Sequence, residues 1–260
     1  MIKAVFFDID GTLVSFKTHK LPDSTVRALD LLREKGIKVF IATGRQLQSI
    51  NNLGTQYVNG SAGCGGNGGY CLAGKDKVIY KHNIPSGDIE ALIRYQENEE
   101  AFPCALVEED GIYQNYVDDS VRQLYDMLDF PHPPLRPLRG NGGKEVYQLI
   151  AFFSPGHEER IMSVLPHCEA TRWNPLFADV VPRGSSKAVG IDKIIEYYGI
   201  SLHETMAFGD GGNDMAMLRH AGIGVAMGNA GDEVKEAADY VTDSVDDDGV
   251  MNALRHFDVI

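Results

Sequence analysis

The stretch Lys3-Ala4-Val5-Phe6-Phe7-Asp8-Ile9-Asp10-Gly11-Thr12 decides how the rest of the chain is read. Its apolar run has the pattern of a strand buried on both faces of a parallel sheet, and it ends in a turn at Asp10-Gly11-Thr12. Downstream, Asp23 or Ser24 is placed to cap a helix carrying Val26, Leu29 and Leu32 on one face. Gly36 can close that helix, and Ile37 to Ala42 reads as a second buried strand. Strand, helix and strand make one βαβ unit, so the sheet is expected to be parallel with a right-handed crossover.

The last third repeats this rhythm. Ser185 or Ser186 stands as a cap, Ile191, Ile194, Ile195 and Tyr198 follow at helical spacing, and Gly199 is the stop before a strand at Thr205 to Phe208. A helix over Asn213 to Ala221, a strand at Ile223 to Met227, a helix at Gly231 to Ala238 and a short strand at Tyr240 to Thr242 complete it. The middle differs, with mixed helices and strands from Ile84 to Pro182 and a connector at Pro131-His132-Pro133-Pro134-Leu135-Arg136-Pro137. The expected fold is therefore α/β, a Rossmann-like parallel-sheet core over 1–83 and 183–260 with an inserted α+β domain over 84–182. The glycines between Gly54 and Gly69 read either as an irregular approach to the insert or as a flexible loop.

With 260 residues, 43% of them hydrophobic, the chain can bury a substantial core. Its formal charge of -13, with no basic run of five, speaks against nucleic acid and anionic membrane as partners. Charge arrives too early at Asp8 for a signal peptide, and no 18-residue apolar run follows, so a cytoplasmic location is expected. Cys64, Cys71, Cys104 and Cys168 form no CxxC pair and show no zinc-like spacing with histidine, which suits four reduced, structural thiols. No HExxH occurs among the eight histidines.

Four polar clusters punctuate the apolar segments. Asp8 and Asp10, two residues apart after a buried strand, suit phosphoryl transfer: one oxygen nucleophile and one acid for the departing alkoxide, beside a cation. Gly209-Asp210-Gly211-Gly212-Asn213-Asp214 also stands between a strand and a helix. It reads as a glycine-rich capped turn or as a source of the hard oxygen ligands that magnesium prefers. Lys187 lies in the first turn of its helix, where an ammonium opposes the helix dipole. A solvated side chain or an anion bound at the helix start would both account for that placement. Thr43-Gly44-Arg45 ends the second strand with a hydroxyl and a backbone N–H that a phosphate oxygen could use, and Gly44 permits close approach. Singly each is an ordinary turn; together they would meet at one edge of a parallel sheet.

This ordered set, DIDGT at Asp8, Thr43 in TGR, Lys187, and GDGGND at Asp210, resembles the haloacid dehalogenase superfamily of phosphatases over essentially the whole chain. Within it the chain is similar to the Cof-type subfamily, whose α/β cap is inserted between the second and third motifs. The resemblance implies a phosphoric monoester hydrolase with Mg2+ as cofactor. Asp8 would be nucleophile and metal ligand, and Asp10 the general acid/base that gives a backbone carbonyl to the metal. Thr43, Gly44 and Lys187 would hold the phosphate, Asp210 would be a metal ligand, and Asp214 a ligand or an acceptor beside it. Asn213 would contact phosphate or order its loop, while Arg45 and Asn67 would face the substrate. Relatives often carry Ser or Ala where Gly211 and Gly212 stand, a departure that removes no functional group.

A small phosphorylated metabolite, preferably a sugar phosphate, is the expected substrate. Arg172, Trp173 and Asn174 in the insert read as a grip for a hydroxyl-rich sugar or, for Trp173, as core. A phosphomutase would use the same Asp8, and a non-catalytic phosphometabolite sensor would not need both Asp8 and Asp10. The missing apolar spans set the chain apart from ion pumps that also form an aspartyl phosphate.

Overall fold

The structure is a computed structural model that describes residues 1–45, 50, 53, 63–74, 77–172 and 174–260. The chain divides into two compact units, one formed by Met1–Tyr80 with Ser186–Ile260 and the other by Lys81–Ser185. The break falls three residues outside the expected insert at each end.

The first unit opens with β1 (Ala4–Phe7), α1 (Asp23–Glu34), β2 (Lys38–Ala42), β3 (Gly63–Gly65), β4 (Tyr70–Ala73) and β5 (Lys77–Lys81). The second unit then supplies α2 (Ser86–Asn98), β6 (Cys104–Glu108), β7 (Ile112–Gln114), α3 (Asp119–Leu128), β8 (Val146–Ala151), α4 (Glu158–Val164), β9 (Cys168–Thr171) and β10 (Ala178–Pro182). The chain returns to the first unit for α5 (Lys187–Tyr198), β11 (Thr205–Gly209), α6 (Met215–His220), β12 (Ile223–Ala226), α7 (Asp232–Glu236), β13 (Tyr240–Val241) and α8 (Gly249–His256).

Among the described residues the first unit carries an eight-stranded sheet in the order β13-β12-β11-β1-β2-β3-β4-β5. It is parallel from β13 to β3, and β4 runs antiparallel to β3. β1 is central and buried throughout, as its unbroken apolar run requires. Val5 and Phe7 join the core that α1 and α8 cover, with Phe7 stacked on Phe208 at 4.9 Å. Ala4 and Phe6 join the opposite core under α5 and α6, with Phe6 on Phe40 at 4.9 Å. The second unit is an antiparallel sheet in the order β7-β6-β8-β10-β9, with α2 and α4 packed on a core of Leu106, Leu149 and Val180.

Local expectations were met unevenly. Ser186 caps α5, its hydroxyl accepting from the Val189 N–H at 3.3 Å, and Gly199 ends the helix in the left-handed region. At α1 neither Asp23 nor Ser24 caps: Pro22 occupies the cap, and Asp23 is the first helical residue, where its charge suits the dipole. The expected helix over Asn213 to Ala221 is split by a tight turn at Gly212–Asp214 ahead of α6. The cysteines need correction. Cys64 and Cys71 face each other across the β3–β4 ladder and form a disulfide, a pairing hidden in sequence because a glycine-rich turn separates them. Cys104 and Cys168 are free and buried, and burial pushes both thiols up to about 12. The glycine cluster between Gly54 and Gly69 is described only from Gly63 onward, and its earlier part, 54–62, lies outside the described residues. No helix among the described residues is long and apolar enough to cross a membrane.

Candidate active site

The carboxyl-terminal ends of β1, β2 and β11 and the start of α5 deliver the charged groups of the first unit to one place. Lys187, the first residue of α5, is buried, and its Nζ lies 2.5 Å from Asp8 Oδ1 and 2.5 Å from Asp214 Oδ1. The solvated reading of this lysine is therefore excluded: its ammonium is held by two carboxylates. Asp214 Oδ2 accepts the backbone N–H groups of Asp210 and Gly211, both at 2.9 Å, which locks the turn after β11. Asp210 is held at both oxygens: Thr12 Oγ1 donates to Oδ1 at 3.0 Å and Asn229 Nδ2 to Oδ2 at 3.2 Å.

One oxygen each from Asp8, Asp210 and Asp214 lie within 4.8 Å of one another. Three ionised carboxylates against one ammonium would leave two negative charges in a buried place, an arrangement that burial disfavours. Burial drives the Asp8 carboxyl up to about 7 despite the pull of Lys187, with Asp214 and Asp10 adding to the rise. Burial, then Asp8 and Asp214, likewise raise Asp210 well above the usual carboxylate range. Burial alone would lower Lys187, but Asp214 and Asp8 outweigh it and hold the ammonium charged. A donor set made only of hard oxygens, short of two positive charges, fits a divalent cation.

Gly11 explains how the first turn can approach so closely. Its φ is +82°, and a Cβ there would stand 2.1 Å from Asp210 Oδ2. Beside it, the Asp10 carboxylate is clasped by Arg45, whose Nε donates to Oδ2 at 2.7 Å while its terminal nitrogen reaches Oδ1. Arg45, expected to face substrate, is thus engaged with Asp10. Thr43 Oγ1 accepts the Arg45 N–H at 3.1 Å, and Asn213 Nδ2 donates to Asn67 Oδ1 at 2.9 Å. The Asn67 amide packs over Gly44, whose missing Cβ would lie 3.3 Å from Asn67 Oδ1. Thr43, Gly44, Asn67 and Asn213 therefore form one cluster.

Arg172, the expected grip on the sugar, is otherwise occupied within the second unit. It donates to Glu158 Oε2 at 2.6 Å and to the Phe153 carbonyl at 2.9 Å, over the Phe153 ring. Asn174 caps its own turn by accepting from the Leu176 N–H at 3.0 Å, and Trp173 lies outside the described residues. Two residues that hold Asp210, Thr12 and Asn229, were missed from the sequence. Asn229 follows strand β12 in Gly228-Asn229-Ala230, the same strand-then-glycine-turn signal that marked Asp10 and Asp210.

The family model of haloacid dehalogenase-like hydrolases matches residues 5–254. This chain belongs to that family. As a Cof-type haloacid dehalogenase-like hydrolase it is a phosphoric monoester hydrolase. A putative phosphatase of Bacillus subtilis, YkrA, is 35% identical over 259 residues, which span 99% of this chain and 98% of the relative. Among solved structures, a sugar phosphatase of haloacid dehalogenase subclass IIB is 47% identical with a TM-score of 0.92, covering 99% of this chain and 100% of that one. A superfamily phosphatase from Bacteroides thetaiotaomicron is 41% identical with a TM-score of 0.91, over 100% of this chain and 96% of that one.

Proposed function

We propose that this hydrolase is a magnesium-dependent phosphatase that cleaves a sugar phosphate through an aspartyl phosphate formed on Asp8. The observation that carries the proposal is the buried Lys187 ammonium bridging Asp8 and Asp214 beside Asp210, a charge arrangement two positive charges short. Asp8, Asp210, Asp214 and the Asp10 carbonyl would hold magnesium, which supplies the positive charge that draws phosphate oxygens in and offsets charge in the transition state.

The Asp8 carboxylate attacks phosphorus, the ester P–O bond breaks, and Asp10 gives a proton to the departing alkoxide. Water then attacks the phosphorus of the aspartyl phosphate while Asp10 takes its proton, so inorganic phosphate leaves and Asp8 is regenerated. Lys187 keeps Asp8 oriented and neutralises the oxygens of the transferring group, with Thr43, Gly44 and Asn213 as further phosphate contacts. Asp10 can deliver its proton only once Arg45 lets go of the carboxylate, and the incoming phosphate is the natural competitor for that guanidinium. Selection among substrates is assigned to the insert over 84–182, because the residues above address only the phosphoryl group common to all of them. The 47% identity to a sugar phosphatase supports the substrate class.

The test has two arms. Phosphate release measured across hexose, pentose and polyol phosphates, nucleotides and cofactor phosphates should place sugar phosphates first. Acid quenching of Asp10→Asn during turnover of a radiolabelled nitrophenyl phosphate, whose leaving group departs without a proton from Asp10, should trap hydroxylamine-labile phosphate on Asp8, absent from Asp8→Asn. Nucleotides leading the panel would overturn the substrate class, and an unlabelled Asp10→Asn enzyme would overturn the intermediate.

A further inference from the structure

Asn229 stands exposed in the turn after β12, and no step of the chemistry above uses it. Its amide is nonetheless engaged on every side. Nδ2 donates to Asp210 Oδ2 at 3.2 Å and to the Gly11 carbonyl at 2.9 Å, while Oδ1 accepts from the Val245 N–H at 2.9 Å. One side chain therefore ties the turn after β1, the carboxylate after β11 and the loop ahead of α8. The remaining Asp210 oxygen, Oδ1, is held by Thr12 at 3.0 Å. With a protein donor on each oxygen, this carboxylate cannot turn freely before a cation arrives. A ligand held in this way gives up less side-chain freedom on binding, and partners of this kind tune metal affinity although they never touch the ion.

We infer that Asn229 is a positioning residue for the divalent cation: its amide sets the Asp210 carboxylate at a fixed distance from the Gly11 carbonyl, aimed toward Asp8 and Asp214. The inference rests on the reading of Asp210 as a metal ligand. The residue type follows from the geometry. Two donors and one acceptor are needed on one short side chain, which asparagine supplies. Aspartate would oppose its own oxygen to Asp210 and to the Gly11 carbonyl, and alanine would reach none of the three groups. Because Asn229 is exposed, truncating it opens no buried cavity. A merely structural tether and a metal-positioning residue differ in what their loss changes: the first lowers the stability of the metal-free protein and leaves its magnesium affinity as it was, the second weakens the hold on the cation as well.

The experiment compares metal-free full-length wild type with Asn229→Ala. Calorimetric titration with magnesium chloride gives the affinity, unfolding temperature without magnesium gives the structural cost, and phosphate release against magnesium concentration separates half-saturation from kcat. Asn229→Ala should weaken magnesium binding by about 10–100-fold. The magnesium concentration for half-maximal turnover should rise by a similar factor, with kcat at saturating magnesium largely retained and the metal-free unfolding temperature lowered modestly by the lost bonds to the Gly11 carbonyl and the Val245 N–H. Equal magnesium affinity in the two proteins overturns the inference, whether or not the unfolding temperature falls. Failure of wild type itself to take up magnesium would overturn the reading of Asp210 as ligand and this inference with it. A wild type that binds and a variant that matches it would overturn the positioning role alone.

Discussion

Replacing Lys187 with methionine keeps most of the side-chain volume and removes the charge that two buried carboxylates share. Lys187 has no exposed side-chain surface and contacts Asp8 and Asp214 at 2.5 Å each, and those partners are themselves nearly enclosed. Removing one member of such a pair leaves the others as uncompensated buried charges, which costs about 3–5 kcal/mol. Because Lys187 serves two carboxylates, the upper part of that range is expected. At roughly 2–4 °C per kcal/mol for a unit of this size, the metal-free unfolding temperature at mildly alkaline pH should fall by about 8–20 °C. Acidification should recover part of the loss, because protonating Asp8 removes one of the charges left unpaired. Turnover should fall by about two to three orders of magnitude even at temperatures where the variant is fully folded. Thermal denaturation followed by circular dichroism, paired with phosphate release, measures both. A Lys187→Met protein that unfolds within a degree or so of wild type across the pH range would refute the buried triad as the source of the lysine's role.

Two other outcomes follow from the same site. In the metal-free fold Asp8 titrates near 7 instead of its ordinary 3.8, so the folded state holds that proton more tightly than the unfolded chain does. This contribution to stability is therefore greatest in acid and is lost as pH rises through about 7. Magnesium must displace the same proton, so the rise in unfolding temperature on adding magnesium should widen between about pH 5 and pH 8; a gap that narrows counts against it. Gly11→Ala should destabilise by about 1–2 kcal/mol from the left-handed backbone alone. Its Cβ would also push Asp210 aside, raising the magnesium needed for half-maximal turnover, and unchanged magnesium dependence would show that Asp210 is not where the cation binds.

The parallel core was legible because its signals are local. The apolar runs at Val5 and Val39, the cap at Ser186 and the stop at Gly199 are each decided within a few residues, and β1, β2 and α5 stand where those residues predict. The charged cluster was legible for a different reason: Asp8, Asp10, Lys187, Asp210 and Asp214 each follow a buried strand or open a helix, so topology alone gathers them. Side-chain pairings were not legible. That Lys187 is buried, that Arg45 clasps Asp10, and that Arg172 packs on Glu158 and Phe153 are all decided by partners distant in sequence. The Cys64–Cys71 bridge depends on the β3–β4 register, which no spacing rule for cysteine encodes.

The position of β1 also sets a schedule for synthesis. One edge of β1 meets β2 early, through Ala4 and Lys38, but its other edge pairs with β11, where Ala4 lies beside Thr205. At about 5–20 residues per second, a translating ribosome leaves that second edge bare for roughly 10–40 s. The unit Lys81–Ser185, with a core of its own, emerges whole during that wait. The nascent chain thus carries its most apolar strand half-paired while the intervening unit is made, and this interval is where chaperone contact or aggregation of the newborn chain would concentrate.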